Sequence, residues 1–480
     1  MPDSATPSFR AVSVKPPYCP AKGWADSALL AWCLAAAAFV LAAFCLDSLA
    51  WDGSYYLIQV VQNGVPMAPH RRWFDLILFA PVAWAQPLAR QPLELVVLHG
   101  LLCAIPPLFS LAVCLRMLRG VFAPLRFWIV LGILLAPLPG QIVFVSENNS
   151  VLQLAWVCLA FVWCGCPWRW APAVLLAGVA MVGLHPVSAP LFFFAAVTAA
   201  VLSFVAESAV RGRLRLWAGV FGLAFLGKVV EILMFASPYE REHLHGSAWA
   251  AELSTGFLLT PALVLGLVWI EALRSLWASC RPQTGEKPSL WPKVLWGAAF
   301  VLGIAYCMHP WGWCGALGFR KFGIVFATPL VLMGGVEAWR HWQDGGAQAC
   351  KPVPWSRSTV VPALLFALLF GCMSLSWKAL WGSLQKELST HPATVQTKED
   401  LLPAERFGPL DHWSTSSLSL LLQGWNPTKV HISNRELQLT PGSFCICPGN
   451  DFVCEDKRMK LGWLKKLVTT PPEAEKNHAP

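Results

Sequence analysis

The fold is decided first by residues 27–46, which read SALLAWCLAAAAFVLAAFCL and carry no charged side chain. As a helix, a stretch of this length rises about 30 Å, the thickness of the hydrocarbon core of a bilayer. The whole chain shares this character, because 56% of its 480 residues are hydrophobic and only 13% are charged. A soluble protein is roughly a quarter charged. The composition therefore excludes a water-soluble enzyme and predicts an all-α polytopic membrane protein.

Apolar stretches long enough to be transmembrane helices number about eleven. A further stretch, residues 73–89, is interrupted by Asp75, Pro81 and Pro87, and we interpret it as an interfacial or re-entrant segment. The eleven predicted spans are residues 27–46, 93–115, 122–140, 151–166, 170–184, 188–205, 216–235, 256–277, 294–308, 322–338 and 359–376.

Basic residues orient these spans, because short cytoplasmic loops are enriched in Lys and Arg. With the N-terminus inside, the cytoplasmic side holds about twice as many basic residues as the opposite side, and the reverse orientation inverts this bias. We therefore predict a cytoplasmic tail (1–26), a transmembrane domain (27–378) with a first outer loop (47–92), and an extracytoplasmic C-terminal domain (379–480). In a bacterial inner membrane, that last domain is periplasmic.

The C-terminal domain has balanced charges and short alternating runs, which predict a small α/β or mostly β fold with a disordered tail. The net charge of +9 follows from orientation, so membrane lipid is an expected partner and nucleic acid is not. Most cysteines lie in apolar spans, where a thiol is a small hydrophobe. Cys445, Cys447 and Cys454 lie outside, where a disulfide between Cys447 and Cys454 is favoured and a zinc site is the alternative.

Polar residues that could carry chemistry gather on the outer side. Asp52 begins a predicted amphipathic helix on the membrane surface, and it is either a functional acid or a helix cap. Arg320 and Lys321 stand at the outer end of a span, against the positive-inside trend. Such a pair suits a phosphate or diphosphate headgroup, with snorkelling as the alternative. Lys228 and Glu231 share a helical face inside a span, where mutual neutralisation competes with an ion relay.

Two short motifs resemble the GT-C superfamily of integral membrane glycosyltransferases, which use polyprenyl-phosphate sugars. Residues 51–57, WDGSYYL, are similar to the first-loop motif of that superfamily. Residues 320–322, RKF, followed by residues 328–330, TPL, resemble the basic, aromatic and proline pattern ahead of a late span. The order of about eleven spans and an outer C-terminal domain resembles the same superfamily.

The resemblance implies that Asp52 is the general base and that Arg320 and Lys321 stabilise the departing lipid phosphate. It implies a polyprenyl-phosphate-linked sugar as donor and an envelope acceptor on the outer face. The second acid that family members commonly carry would be Asp47 or Asp75. A divalent cation is the one cofactor considered, and no metal-ligand set is identified. Further candidates for contact with the substrates or with such a cation are Tyr55, Tyr56, Glu147, His243, His245 and Glu252.

Two other classes of function compete with this enzyme. A transporter or flippase for lipid-linked glycans or ions would use polar residues across the bundle, with Lys228 and Glu231 as the main pair. An assembly or scaffold protein would act through residues 379–480. The enzyme is favoured because polar groups cluster on one face and are sparse along the spans.

Overall fold

The structure, a computed structural model, describes residues 24–50, 52–66, 72–119, 122, 125–138, 147–235, 319–343, 355–390, 395–396 and 415–431. Most of these residues are helical, and α6 continues as a π-helix over Leu131–Leu135. The helices are α1 (Trp24–Phe44), α2 (Asp52–Asn63), α3 (Trp73–Ala85), α4 (Pro92–Cys103), α5 (Ile105–Met117), α6 (Arg126–Val130), α7 (Glu147–Trp163), α8 (Ala171–Leu184), α9 (Ser188–Val205), α10 (Ser208–Phe235), α11 (Phe319–Gln343), α12 (Trp355–Thr390) and α13 (Thr415–Leu422).

Five helical segments of the described chain are long and apolar enough to cross a membrane. They are Ser27–Phe44, Pro92–Met117, Ser188–Val205, Ser208–Phe235 and Thr359–Thr390. Each overlaps a predicted span, so the described residues agree with the predicted all-α membrane protein, and their apolar helices fit contact with membrane lipid.

The other predicted spans have different outcomes. Those at 122–140, 151–166 and 170–184 fall on shorter apolar helices, and 322–338 lies within α11. The spans at 256–277 and 294–308 lie outside the described residues. The total of eleven, the side on which each terminus lies and the kind of membrane stay predictions.

Helix α7 forms the centre of the described bundle, packing against α5, α8, α9 and α11. Large rings meet glycines on its neighbours. A Cβ atom at Gly132 of the π-helix would overlap the ring of Trp156, and one at Gly334 of α11 would overlap the ring of Trp163. These glycines therefore allow α6 and α11 to approach α7 closely.

Helix α3 has two different faces. Asp75, Phe79 and Val82 are buried, whereas Ile77 and Trp84 are exposed. Its 13 residues rise about 20 Å, too little to cross a bilayer. A short helix with one exposed apolar face and Trp near its ends fits the predicted interfacial or re-entrant segment.

Helix α12 runs unbroken through position 378, where the sequence analysis ended the transmembrane domain. Its 36 residues rise about 54 Å, well beyond a hydrocarbon core. Within this helix, Phe366 and Phe370 pack on Phe39 of α1, with ring centroids 5.3 and 5.4 Å away. Its far end packs on α13. Helix α12 therefore links the bundle to the C-terminal segment.

The described part of the C-terminal region is small. Helix α13 packs against α2, α4 and α12, and two parallel strands pair Val395 with Val430 and Gln396 with His431. The rest of the predicted α/β or mostly β domain, including Cys445, Cys447 and Cys454, lies outside the described residues.

Candidate functional site

The candidate site lies around the corner that joins α1 to α2, which we define as residues 46–53. Leu46 has a φ of 65°, and a 3-10 turn follows over Asp47–Leu49. The amide of Ala50 donates to the carbonyl of Asp47, and the amide of Gly53 donates to the carbonyl of Ala50. A non-glycine residue in the left-handed region persists only where the surroundings fix it. The corner is therefore a fixed structure that leads into α2, which begins at Asp52.

Two side-chain hydrogen bonds fix the corner to the bundle. Ser374 Oγ of α12 donates to Asp47 Oδ2 over 2.6 Å, and Ser48 Oγ donates to the carbonyl of Val96 in α4 over 2.8 Å. All of these groups are buried. The position of the first residues of α2 thus depends on two helices that are distant in sequence.

The carboxyl group of Asp47 lies in an unusual environment. It is 5% exposed, and its Oδ1 has no hydrogen-bond partner among the described residues. No cation of the described chain forms an ion pair with it. Asp47 follows the end of the first span, and burial raises the pKa of its carboxyl from 3.8 to about 8, although the bond from Ser374 acts in the opposite direction. Asp47 is therefore a buried acid that favours its neutral form.

Helix α2 is confirmed, and its position relative to the membrane surface stays a prediction, but its apolar face is not free to contact lipid. Leu57, Ile58, Val60 and Val61 are fully buried, because α3, α4 and α13 pack around the helix. Tyr56 is buried as well and meets Phe79 of α3 edge to face, with ring centroids 6.2 Å apart. The predicted apolar face contacts protein where lipid was expected.

A row of rings continues from α2 through α3 into α4. Phe79 stacks on His99 at a centroid distance of 4.8 Å, and His99 Nε2 lies 3.5 Å from Cys103 Sγ. His99 is buried, and no group in the described part of the chain forms a hydrogen bond with its Nδ1. This histidine was not among the residues predicted from the sequence. The one signal was an imidazole in the middle of the apolar stretch 93–115, where a titratable group is rare.

The C-terminal segment covers the same region. Gln385 Nε2 of α12 donates to the carbonyl of Leu422, and Trp425 Nε1 donates to the carbonyl of Arg90 in the first loop. Gln423 orders the turn after α13, because its amide oxygen accepts from the backbone amides of Thr428 and Lys429. Residues 415–431 therefore form one layer over α2 and α4.

The predicted site residues fall into three groups. Tyr56 belongs to the buried region around the corner. Asp52 begins α2, Tyr55 lies within it, Glu147 begins α7, and Arg320 and Lys321 lie in the first turn of α11, but their side chains are outside the described ones. His243, His245 and Glu252 lie wholly outside the described residues. Within the chain described, no group of three His, Cys, Asp or Glu residues could hold a metal ion.

Helix α11 borders an apolar groove about two to three turns after Arg320 and Lys321. The groove lies between α7, α9 and α11, and its lining includes Leu152, Trp156, Leu191, Phe194, Thr328 and Leu332. The side chains of Phe194 and Leu332 are exposed, so the groove opens at the side of the bundle. Its chemistry suits a hydrocarbon chain.

Lys228 and Glu231 form the pair that their spacing predicts. Lys228 Nζ lies 2.8 Å from Glu231 Oε1 and also donates to the carbonyl of Val182 over 2.7 Å. Lys228 is 4% exposed, and Glu231 is 48% exposed. The prediction that the two charges neutralise each other is confirmed.

Comparison with protein-family models, curated proteins and solved structures finds no match to this chain.

Proposed function

We propose that the protein is a membrane glycosyltransferase that moves a sugar from a polyprenyl-phosphate donor to an acceptor on the outer face of the membrane. The main support is the fixed corner at residues 46–53, which is hydrogen-bonded to α4 through Ser48 and to α12 through Asp47, and which leads directly into α2, the helix that begins at Asp52. Catalysis of group transfer requires such preorganisation of the reacting groups.

The proposed chemistry follows from charge. An acceptor hydroxyl oxygen attacks the anomeric carbon of the donor sugar, and its proton passes to the Asp52 carboxylate. The bond between that carbon and the phosphate oxygen breaks, and its electron pair leaves with the lipid phosphate. Arg320 and Lys321 stabilise the negative charge that grows on this phosphate. Tyr55, Tyr56, Glu147, His243, His245 and Glu252 are proposed to contact the substrates or a divalent cation.

The apolar groove between α7, α9 and α11 supports a lipid-linked donor. It begins about 10 Å along α11 from Lys321, given a rise of 1.5 Å per residue between positions 321 and 328. A phosphate near the start of α11 could thus place its hydrocarbon chain along the groove.

The transporter alternative has less support from the described residues. Both charges of the Lys228 and Glu231 pair are already satisfied by each other, and Lys228 has a second acceptor in Val182. Such an arrangement stabilises α10 against α8 and leaves neither Lys228 nor Glu231 free for a relay.

The test is a transfer assay with membranes that contain the full chain and a set of radiolabelled polyprenyl-phosphate sugars. We expect Asp52→Asn to reduce transfer at least about 100-fold, the usual contribution of a general base. Glu94→Gln is the matched control, because Glu94 is an exposed acid near the first loop that accepts from the amide of Arg90. Equal transfer by Asp52→Asn and by the control, at equal protein levels, would contradict the role of Asp52 as general base.

A further inference from the structure

The corner at residues 46–53 depends on one buried acid. Asp47 accepts the 2.6 Å bond from Ser374, which is 327 positions away in the sequence. The backbone carbonyl of the same residue accepts from Ala50, whose carbonyl accepts from Gly53. Asp47 therefore connects the beginning of α2 to α12 through its side chain and its backbone together.

The surroundings of Asp47 disfavour a negative charge. Oδ1 is buried with no partner, and the single described bond to the carboxyl comes from a neutral hydroxyl. A buried carboxylate without a cation or several donors is costly, and burial of the neutral acid costs much less.

We propose that Asp47 is a positioning residue that acts as a protonation-dependent latch. The neutral acid keeps the corner closed on Ser374. Loss of its proton leaves a buried carboxylate that one hydroxyl donor cannot offset, so the corner opens to water and the start of α2 loses its connection to α12. This coupling is independent of the proposed function, although release would also move Asp52.

Among the described residues near the corner, no cation forms an ion pair with the Asp47 carboxyl. The 3-10 turn at Asp47 packs against α1, α2, α4 and α12. Lys378, one turn beyond Ser374, is exposed, and both Lys378 and Asp47 act electrostatically on the thiol of Cys45. Across the packed elements, the titratable groups nearest the corner in sequence or packing are Cys45, Asp52, Tyr55, Tyr56, Glu94, His99 and Lys378.

The sign of the pH effect follows from linkage. An acid whose pKa is higher in the folded protein than in the unfolded chain stabilises the fold most at low pH. For Asp47, the stabilisation is complete below its ordinary pKa of 3.8, declines as the pH rises, and is lost once the pH passes about 8.

Hydrogen exchange of the full chain in detergent, read by mass spectrometry on peptides from residues 46–63, tests the latch. Each variant is compared with wild type at the same pH, which removes the intrinsic pH effect on exchange. We expect wild type and Asp47→Asn to exchange alike at pH 6, because both carry a neutral side chain. At pH 9 we expect wild type to exchange several-fold faster than Asp47→Asn.

Two further variants make the outcome decisive. Glu94→Gln, an exposed acid on α4, should match wild type at both pH values. Ser374→Ala removes the partner and should exchange at pH 6 as fast as wild type does at pH 9. Equal exchange of wild type and Asp47→Asn at pH 9, slower exchange of Glu94→Gln there, or unchanged exchange of Ser374→Ala at pH 6 would each overturn the proposal.

Discussion

Trp425 donates a 2.8 Å hydrogen bond from its indole Nε1 to the backbone carbonyl of Arg90, so the C-terminal segment is attached to the first loop. The two residues are 335 positions apart. Because α13 also packs on α2 and α4, the layer formed by residues 415–431 covers the helix that begins at Asp52. The first loop and the C-terminal segment therefore form one structural unit.

Replacing Trp425 with Phe removes this bond and keeps most of the ring. We expect the C-terminal layer to loosen by about 0.5–1.5 kcal/mol, with the low end favoured because the bond is exposed. Tryptic cleavage after Lys429 measures the effect and should be faster in this variant than in wild type. Trp168→Phe, at an exposed ring of another segment, is the control. Equal cleavage rates in all three proteins would show that the bond does not hold the layer.

Adjacent glycines on α11 offer a matched test of the bundle. A Cβ at Gly334 would overlap the ring of Trp163, whereas a Cβ at Gly335 meets no atom within 4 Å. Gly334→Ala should therefore destabilise the protein by about 1–3 kcal/mol through overpacking. Gly335→Ala should be neutral or stabilising by up to about 1 kcal/mol through helix propensity. Thermal unfolding in detergent distinguishes them, and equal midpoints would contradict the close contact of α11 with α7.

The pair on α10 is suited to a double-mutant cycle. Glu231→Leu leaves the buried ammonium of Lys228 with the Val182 carbonyl alone, so we expect a clear loss of stability. Lys228→Leu combined with Glu231→Leu removes both charges and should restore much of that loss. The partial exposure of Glu231 makes these effects smaller than for a fully buried pair. A double variant that is less stable than Glu231→Leu would argue for a role beyond mutual neutralisation.

Filling the apolar groove tests the proposed donor. Leu191→Trp places a large ring between α7, α9 and α11 and should reduce transfer from a long polyprenyl donor. Leu223→Trp on the exposed face of α10 is the control and should leave transfer unchanged. An isoprenoid chain that carries a photoreactive group should label residues of this groove in wild type. Full transfer by Leu191→Trp together with labelling elsewhere would contradict binding of the donor's hydrocarbon chain in this groove.

Sequence patterns correctly predicted the features that depend only on residues close together in one helix. The apolar stretches at 27–46, 93–115 and 188–205 fall in long apolar helical segments, because length and hydropathy alone determine whether a segment can cross a membrane. The ion pair between Lys228 and Glu231 followed from a spacing of three residues. The start of a helix at Asp52 followed from the apolar pattern of residues 56–61.

Contacts between segments that are distant in the sequence could not be predicted from such patterns. The burial of α2 required α13, which comes more than 350 positions later in the chain. Ser374 could not be singled out as the partner of Asp47, because a serine in an apolar span usually bonds its own helix backbone. In the sequence, Gly132 and Gly334 are only residues of low helix propensity. Their role in packing is visible in the structure, where the rings of Trp156 and Trp163 lie against them.

If the starts of α2 and α11 serve one catalytic site, Asp52 and Lys321 lie within reach of one substrate. The distance between the Asp52 carboxylate and the Lys321 ammonium, in an experimental density map of the full chain in lipid nanodiscs, is the most direct measurement. We expect a distance of less than about 20 Å, with both groups facing one cavity, because the Asp52 carboxylate and the Lys321 ammonium must act on the same reacting group and its leaving phosphate. A separation well beyond about 20 Å would contradict it.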